Sequence, residues 1–231
     1  MTVTELYDLF RNDVGDVAKP QLWTDIEVYS YMDDALKTYV RLTGGIPDAS
    51  SSATKVKILA GEQYSTVSPT ILKFRQASLE STGAELIIIN NEDLKSYNRN
   101  DYGNTVVFQN NRPGLVTHMI IGLERSGKNG VVRWASIPQE DDVALLSVYR
   151  LPLITIKQGC DEKALCEINE EHHVNLLHWM RHRAYAKDDS ETLDRGQSLE
   201  NKVNFELYCQ AAMAEANRYK SKTRVVRYGG I

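Results

Sequence analysis

A helix with apolar residues on two opposite faces has to be covered twice, and residues 199–216 spell such a helix. Leu199, Val203, Leu207 and Ala211 make one stripe; Phe205, Cys209, Ala212 and Ala216 make the other. Positions 203 and 205 stand about 200° apart at about 100° per residue. Such a helix is either central in its own chain or lends its second face to another subunit. It is the second of a pair spanning Glu167 to Lys222. The first helix is expected to open at Asn169, an N-cap residue followed by Glu170 and Glu171, and to carry Val174, Leu177, Met180 and Ala184 on one face. Arg181, His182, Arg183 and Lys187 gather where cations suit the C-terminal dipole. The elbow between the two is Asp188-Asp189-Ser190, with Asp189 or Ser190 as the next cap.

Earlier in the chain, Thr2 and Glu5 have capping-box spacing before Leu6, Leu9 and Phe10. Thr24 and Glu27 repeat the box, with Trp23 and Val28 at the staple positions. The helix they start is expected to turn Ile26, Tyr29, Leu36, Tyr39 and Val40 inward and to stop at Gly44-Gly45. From about residue 50 the period becomes that of strands. Runs 55–59, 70–75, 86–89, 117–123, 131–135 and 143–149 are the candidates, with a turn at 126–130 making 117–135 a hairpin and a short helix expected at 91–97. The class is α+β: a helical bundle from N- and C-terminal helices, an inserted β-rich region and an extended C-terminal arm. The divisions are 1–49, 50–157, 158–218 and 219–231.

Charge separates the arm from the rest. From Arg218 onward there are five basic residues and no acidic one, so the remainder stands at −9 against −4 for the whole chain. A basic tail on an acidic body suggests a partner of the tail's own. Arg224-Val225-Val226-Arg227-Tyr228 holds strand-forming residues that suit addition to a partner's sheet edge. Cys160, Cys166 and Cys209 form no even framework, which points to reduced thiols. The start Met1-Thr2-Val3-Thr4 has neither a basic nor an apolar leader region, and no run approaches the ~18 apolar residues of a membrane span, so no membrane association is expected.

Chemistry is sparse. Glu171, His172, His173, His178 and His182 cluster, and His178 and His182 have helical i, i+4 spacing. The motif 178–182 lacks the glutamate of a zinc-protease helix and holds Arg181, which repels a cation. Glu140-Asp141-Asp142 follows Pro138 between strands and reads as a solvated turn. Neither a nucleophile elbow nor a phosphate loop is present. No cofactor and no enzymatic activity are expected. A metal-dependent hydrolase using the His172–His182 cluster is the alternative, and a DNA-binding regulator using the tail, with Tyr219 and Tyr228 as its stacking residues, is a third class.

Several landmarks fall in a familiar order. Leu22-Trp23-Thr24-Asp25 opens a helix containing Asp34-Ala35-Leu36. Trp134-Ala135-Ser136-Ile137-Pro138 and Val148-Tyr149-Arg150-Leu151-Pro152-Leu153 follow. The last helical pair begins Ile168-Asn169-Glu170-Glu171-His172 and runs through Leu176-Leu177, Arg183-Ala184-Tyr185 and Asp188-Asp189-Ser190-Glu191-Thr192 to Phe205. In this the chain resembles the head-to-tail adaptor, or connector, proteins of tailed bacteriophages, especially short-tailed ones. Residues 91–114 are longer and more polar than that pattern. The resemblance implies a structural virion protein at the head–tail junction, assembled in the host cytoplasm. It implies a homo-oligomeric ring, usually a dodecamer, that sits under the portal, extends the DNA channel and attaches the tail or nozzle proteins. DNA would pass without sequence-specific binding. Portal docking would fall to Lys222, Arg224, Val225, Val226, Arg227 and Tyr228, and the subunit interface to Phe205, Cys209, Ala212 and Ala216.

Overall fold

A computed structural model describes residues 1–93, 112–125, 128–160, 162–189 and 192–220. They form a mixed α+β chain with two compact units, one of residues 1–44 with those from Pro152 onward, the other Gly45–Leu151. The edges of the two units, beside the sequence divisions at 49/50 and 157/158, follow the local pairing. Ile46–Asp48 pairs with a strand of the second unit. Residues 152–157 run with the first, where Asp33 accepts a hydrogen bond from the Ile156 amide at 2.9 Å.

Among the described residues the first unit holds four α-helices: α1 (Val3–Asp13), α2 (Asp25–Leu42), α3 (Leu176–Tyr185) and α4 (Arg195–Lys220). Both expected capping boxes are formed. Thr2 accepts from the Glu5 amide at 3.1 Å and Glu5 accepts in return at 2.8 Å; Thr24 and Glu27 do the same at 3.4 and 2.8 Å. Val28, Met32, Ala35, Leu36 and Tyr39 of α2 are buried, and α2 packs on α3. Ile26 is a correction: it is 73% exposed, because position 26 lies on the face of α2 opposite the buried one. Leu9 is likewise exposed, whereas Leu6 and Phe10 are core.

The connector between α1 and α2 is held by a buried ionic knot. Arg11 pairs with Asp16, reaches Asp25 at 2.8 Å, donates to the Trp23 carbonyl at 2.7 Å and to the Tyr7 hydroxyl at 3.0 Å. Asp16 in turn accepts from the Leu22 amide at 2.7 Å and the Trp23 amide at 3.3 Å. Trp23 packs edge-on to Phe10 and Tyr185, and its indole donates to the Ala184 carbonyl at 3.1 Å.

In the second unit, eight strands make one curled sheet: β1 (Ile46–Asp48), β2 (Lys55–Ile58), β3 (Tyr64–Thr66), β4 (Ile71–Leu79), β5 (Glu85–Asn90), β6 (His118–Arg125), β7 (Lys128–Trp134) and β8 (Asp142–Arg150). Their order is β1-β8-β4-β5-β6-β7-β3, with β2 also on β8; β5–β6 is the parallel pair, and the expected hairpin is β6–β7. The Ser65 hydroxyl of β3 donates to the Lys57 carbonyl of β2 at 2.7 Å, so the last strand of the order lies beside the strand that shares β8 with β1. The period-two pattern gives the sheet one apolar face. Ala144, Leu146 and Val148 of β8 point inward with Val56, Ile58, Met119 and Trp134. The Trp134 indole is satisfied by Ser65 at 3.0 Å.

Two short strands, β1 and β3, have no periodic signature. β1 forms because Asp48 turns the chain, accepting from the Ser50 and Ser51 amides at 2.9 and 3.1 Å, and pairs Arg150 at 2.5 Å. Burial pushes the Asp48 carboxyl up, but those hydrogen bonds more than reverse it and hold it far below the usual carboxylate range. Gly45, just before this strand, has φ +96°, and a Cβ there would stand 2.8 Å from that of Tyr149. Of the helix expected at 91–97, residues 91–93 form a 3-10 turn and the rest lie outside the described residues.

Candidate functional site on the last helix

The helix α4 decides what the first unit offers a partner. Its start is capped by Asp194, whose carboxylate accepts from the Gln197 amide at 3.0 Å and whose carbonyl accepts from Ser198 at 2.9 Å. The expected caps were Asp189 and Ser190. Asp189 instead closes the elbow, its carbonyl accepting from Thr192 and Leu193, and Ser190 lies outside the described residues. The preceding helix also starts late. Asn169 precedes only a 3-10 turn, Glu170–His172, and makes no side-chain cap; α3 begins at Leu176. This leaves Val174 exposed, while Leu177, Met180 and Ala184 are buried as expected.

The inner face of α4 runs Ser198, Asn201, Phe205, Cys209. Phe205 is 0% exposed and lies 5.2 Å from the Trp179 ring of α3. Phe205 and Cys209, expected at a subunit interface, are covered by this chain's own helices. Ala212 and Ala216 lie beyond them and are half-buried. Burial pushes the Cys209 thiol up to about 12, helped by Glu206, so it stays protonated. The outer face is the open one. Leu199 is 63%, Val203 44% and Leu207 58% exposed, with Ala211 and Met213 exposed beyond them.

The histidine cluster is a polar seam inside the same contact. His182 Nδ1 lies 3.0 Å from the Ser198 carbonyl and 2.9 Å from its hydroxyl. His178 Nδ1 lies 3.3 Å from the Asn201 amide oxygen. His172 Nδ1 lies 2.8 Å from the Tyr208 hydroxyl, its ring 5.1 Å from that of Tyr39. His173, also buried, turns Nε2 to the Leu165 and Ile168 carbonyls at 2.9 and 3.2 Å. The histidines are thus spread along α3 and the turn before it, each on its own partner. Among the described residues no three His, Cys, Asp or Glu side chains converge as a metal site would require. Sequence could have revealed the inner face through this seam. Ser198 and Asn201 stand three apart and His178 and His182 four apart, about one helical turn in each case, but polar residues drop out of a count of apolar ones.

Burial lowers the pKa of His172 and His182 below the ordinary 6.5, and of His118 in the sheet. The unfolded chain therefore binds protons first as pH falls. The stability contributed by neutral His172 and His182 is fully present above pH 6.5 and is lost as pH drops through the lower folded values. The urea midpoint is expected to fall between pH 7 and 5 with a slope that His172→Gln plus His182→Gln reduces; an unchanged slope in the double variant would contradict this assignment.

The residues assigned to portal docking, Lys222, Arg224, Val225, Val226, Arg227 and Tyr228, lie outside the described residues. Among the described residues no helix is long and apolar enough to cross a membrane. A family model described as SU10 adaptor protein matches residues 1–228. No curated protein matches the chain.

Proposed function

The chain belongs to the SU10 adaptor protein family, and on that premise we propose that it is a structural virion subunit of a phage head-to-tail junction. In this reading copies form a ring beneath the portal, a dodecamer by family resemblance, that extends the DNA channel and receives the tail or nozzle proteins. The helices of the first unit act as the ring-forming bundle and the basic C-terminal stretch as the docking arm. The protein does no catalysis, works in the virion, and is assembled in the host cytoplasm. The observation that carries the proposal is the span of the family match, which takes in both units and nearly the whole arm.

Two features support it. An exposed apolar face on α4 suits repeated contacts between copies. The acid-rich remainder lets DNA pass without retention, because counterion release needs clustered cations. A weak arm also becomes a strong attachment when many copies engage one ring.

The test is sedimentation with the isolated portal ring of the same phage, using the full chain and a form ending at Arg218. The full chain is expected to travel with the portal and the shortened form to stay behind. Binding by both forms would move docking to the helices and end the arm's role. Binding by neither would end the adaptor proposal.

A further inference from the structure

The first unit carries a ridge and a groove, and we propose that the ridge of one copy seats in the groove of the next. The ridge is Leu199, Val203 and Leu207, spaced four apart along the outer face of α4. Such i±4n rows are the ridges by which helices interdigitate. The groove lies on α2, between Ile26, Tyr29 and Asp33 on one side and residues 155–158 on the other, with a volume of about 390 Å³. It is preformed: Asp33 accepts from the Ile156 amide at 2.9 Å and is also bound by Lys37 at 2.6 Å, and Ile156 is buried beneath. Ile26, the most exposed aliphatic side chain on α2, stands at its lip.

Three observations select a second copy of this chain as the occupant. First, the two surfaces face away from the same contact. Position 26 is about 220° around α2 from Tyr39, whose ring lies 5.1 Å from that of His172 in the seam. Position 203 is about 200° around α4 from Phe205, which packs on Trp179. Ridge and groove are therefore different surfaces turned in different directions, as a head-to-tail contact requires. Second, the shapes suit each other, a convex helix row and a cleft walled by α2 on one side and by the connecting segment 155–158 on the other, as in helix-in-groove recognition. Third, the charges left over at the rims are complementary: with Asp33 already paired to Lys37 and Lys202 near Glu206, Lys157 is exposed on the groove and Glu200 is exposed beside Leu199. The contact deepens the proposed ring and rests on that reading for closure, although the pairwise contact is testable without a portal.

The experiment is analytical ultracentrifugation of the full chain up to the millimolar range, with one variant broken on each side. Val203→Glu with Leu207→Glu removes the ridge; Ile26→Glu removes the groove. All three sites are exposed, so circular dichroism melts should match the wild type. The wild-type chain is expected to associate, and each variant alone to do so more than about tenfold more weakly. Mixed together, they should form a heterodimer and nothing larger, because one intact ridge meets one intact groove and both free ends are dead. Lys157→Glu should weaken association, and Glu200→Lys in the partner should restore it.

A wild-type chain that stays monomeric, or a mixture without heterodimer, overturns the proposal. Association lost in the ridge variant but untouched by Ile26→Glu means that ridges pair with ridges, and overturns it as well. Failure here alongside portal binding leaves the adaptor role standing. Heterodimers from the mixture without portal binding do the reverse.

Discussion

A chain carrying Phe205→Asp is expected not to fold its helical unit. Phe205 is wholly buried against Trp179, so removing its ring costs about 3–5 kcal/mol as a cavity alone. An aspartate there adds an unpaired carboxylate in an apolar site, a further cost of several kcal/mol unless it protonates. Together these approach the whole stability of an ordinary domain, about 5–15 kcal/mol. Far-UV circular dichroism should show lost helix and no cooperative melt for that unit. Val203→Asp, on the opposite and exposed face, should melt within about 1 kcal/mol of the wild type. A native melt for Phe205→Asp would mean that the inner and outer faces of α4 are wrongly assigned. The contrast also governs the choice of ring-breaking variants. Any assembly defect of Phe205→Asp reports unfolding, whereas a defect of Val203→Glu reports a lost contact.

Both stripes of α4 are legible in the sequence; which of them is internal is not. Periodicity reports that a face is apolar and says nothing of what lies opposite it. The inner face is chosen by α3, which brings Trp179 to Phe205 and pairs His178 and His182 with Asn201 and Ser198. The same limit explains Ile26, an isoleucine just after a capping box that the helix phase turns to solvent. Signals that are local in the chain read through well. Both capping boxes form as spaced, and the six strong β runs become β2 and β4–β8. What fails is structure made by distant partners. β1 exists because Arg150 and β8 meet Asp48, and β3 because its residues pair with β7. Asn169 has the composition of a cap, but the chain there follows 3-10 turns held by His173 on the Leu165 and Ile168 carbonyls, so the helix waits until Leu176.

The ionic knot at Arg11 is the other place where one side chain is expected to matter most. Arg11→Ala leaves Asp16 buried with two amide donors and no counter-charge, and strips the Trp23 carbonyl of its donor. Breaking a buried pair from one side costs about 3–5 kcal/mol, because the remaining charge stays desolvated. The loss should be local in origin and general in effect. Trp23 links this connector to α3 through Ala184 and packs on Phe10 and Tyr185, so three helices loosen together. The measurement is the urea midpoint of the full chain, with a double-variant cycle. Arg11→Met with Asp16→Asn removes both charges and keeps volume; the one side-chain amide oxygen can keep the Leu22 amide, which Asp16 holds at 2.7 Å through one carboxylate oxygen, while the Trp23 amide, 3.3 Å from the other oxygen, loses its acceptor. It should recover part of the stability lost in Arg11→Ala. Arg11→Lys should recover less, since one ammonium cannot span Asp16, Asp25, Tyr7 and the Trp23 carbonyl as the guanidinium fork does. If Arg11→Ala shifted the midpoint no more than a surface substitution, the knot would be a bystander. The α1–α2 connector would then owe its path to Trp23 packing alone.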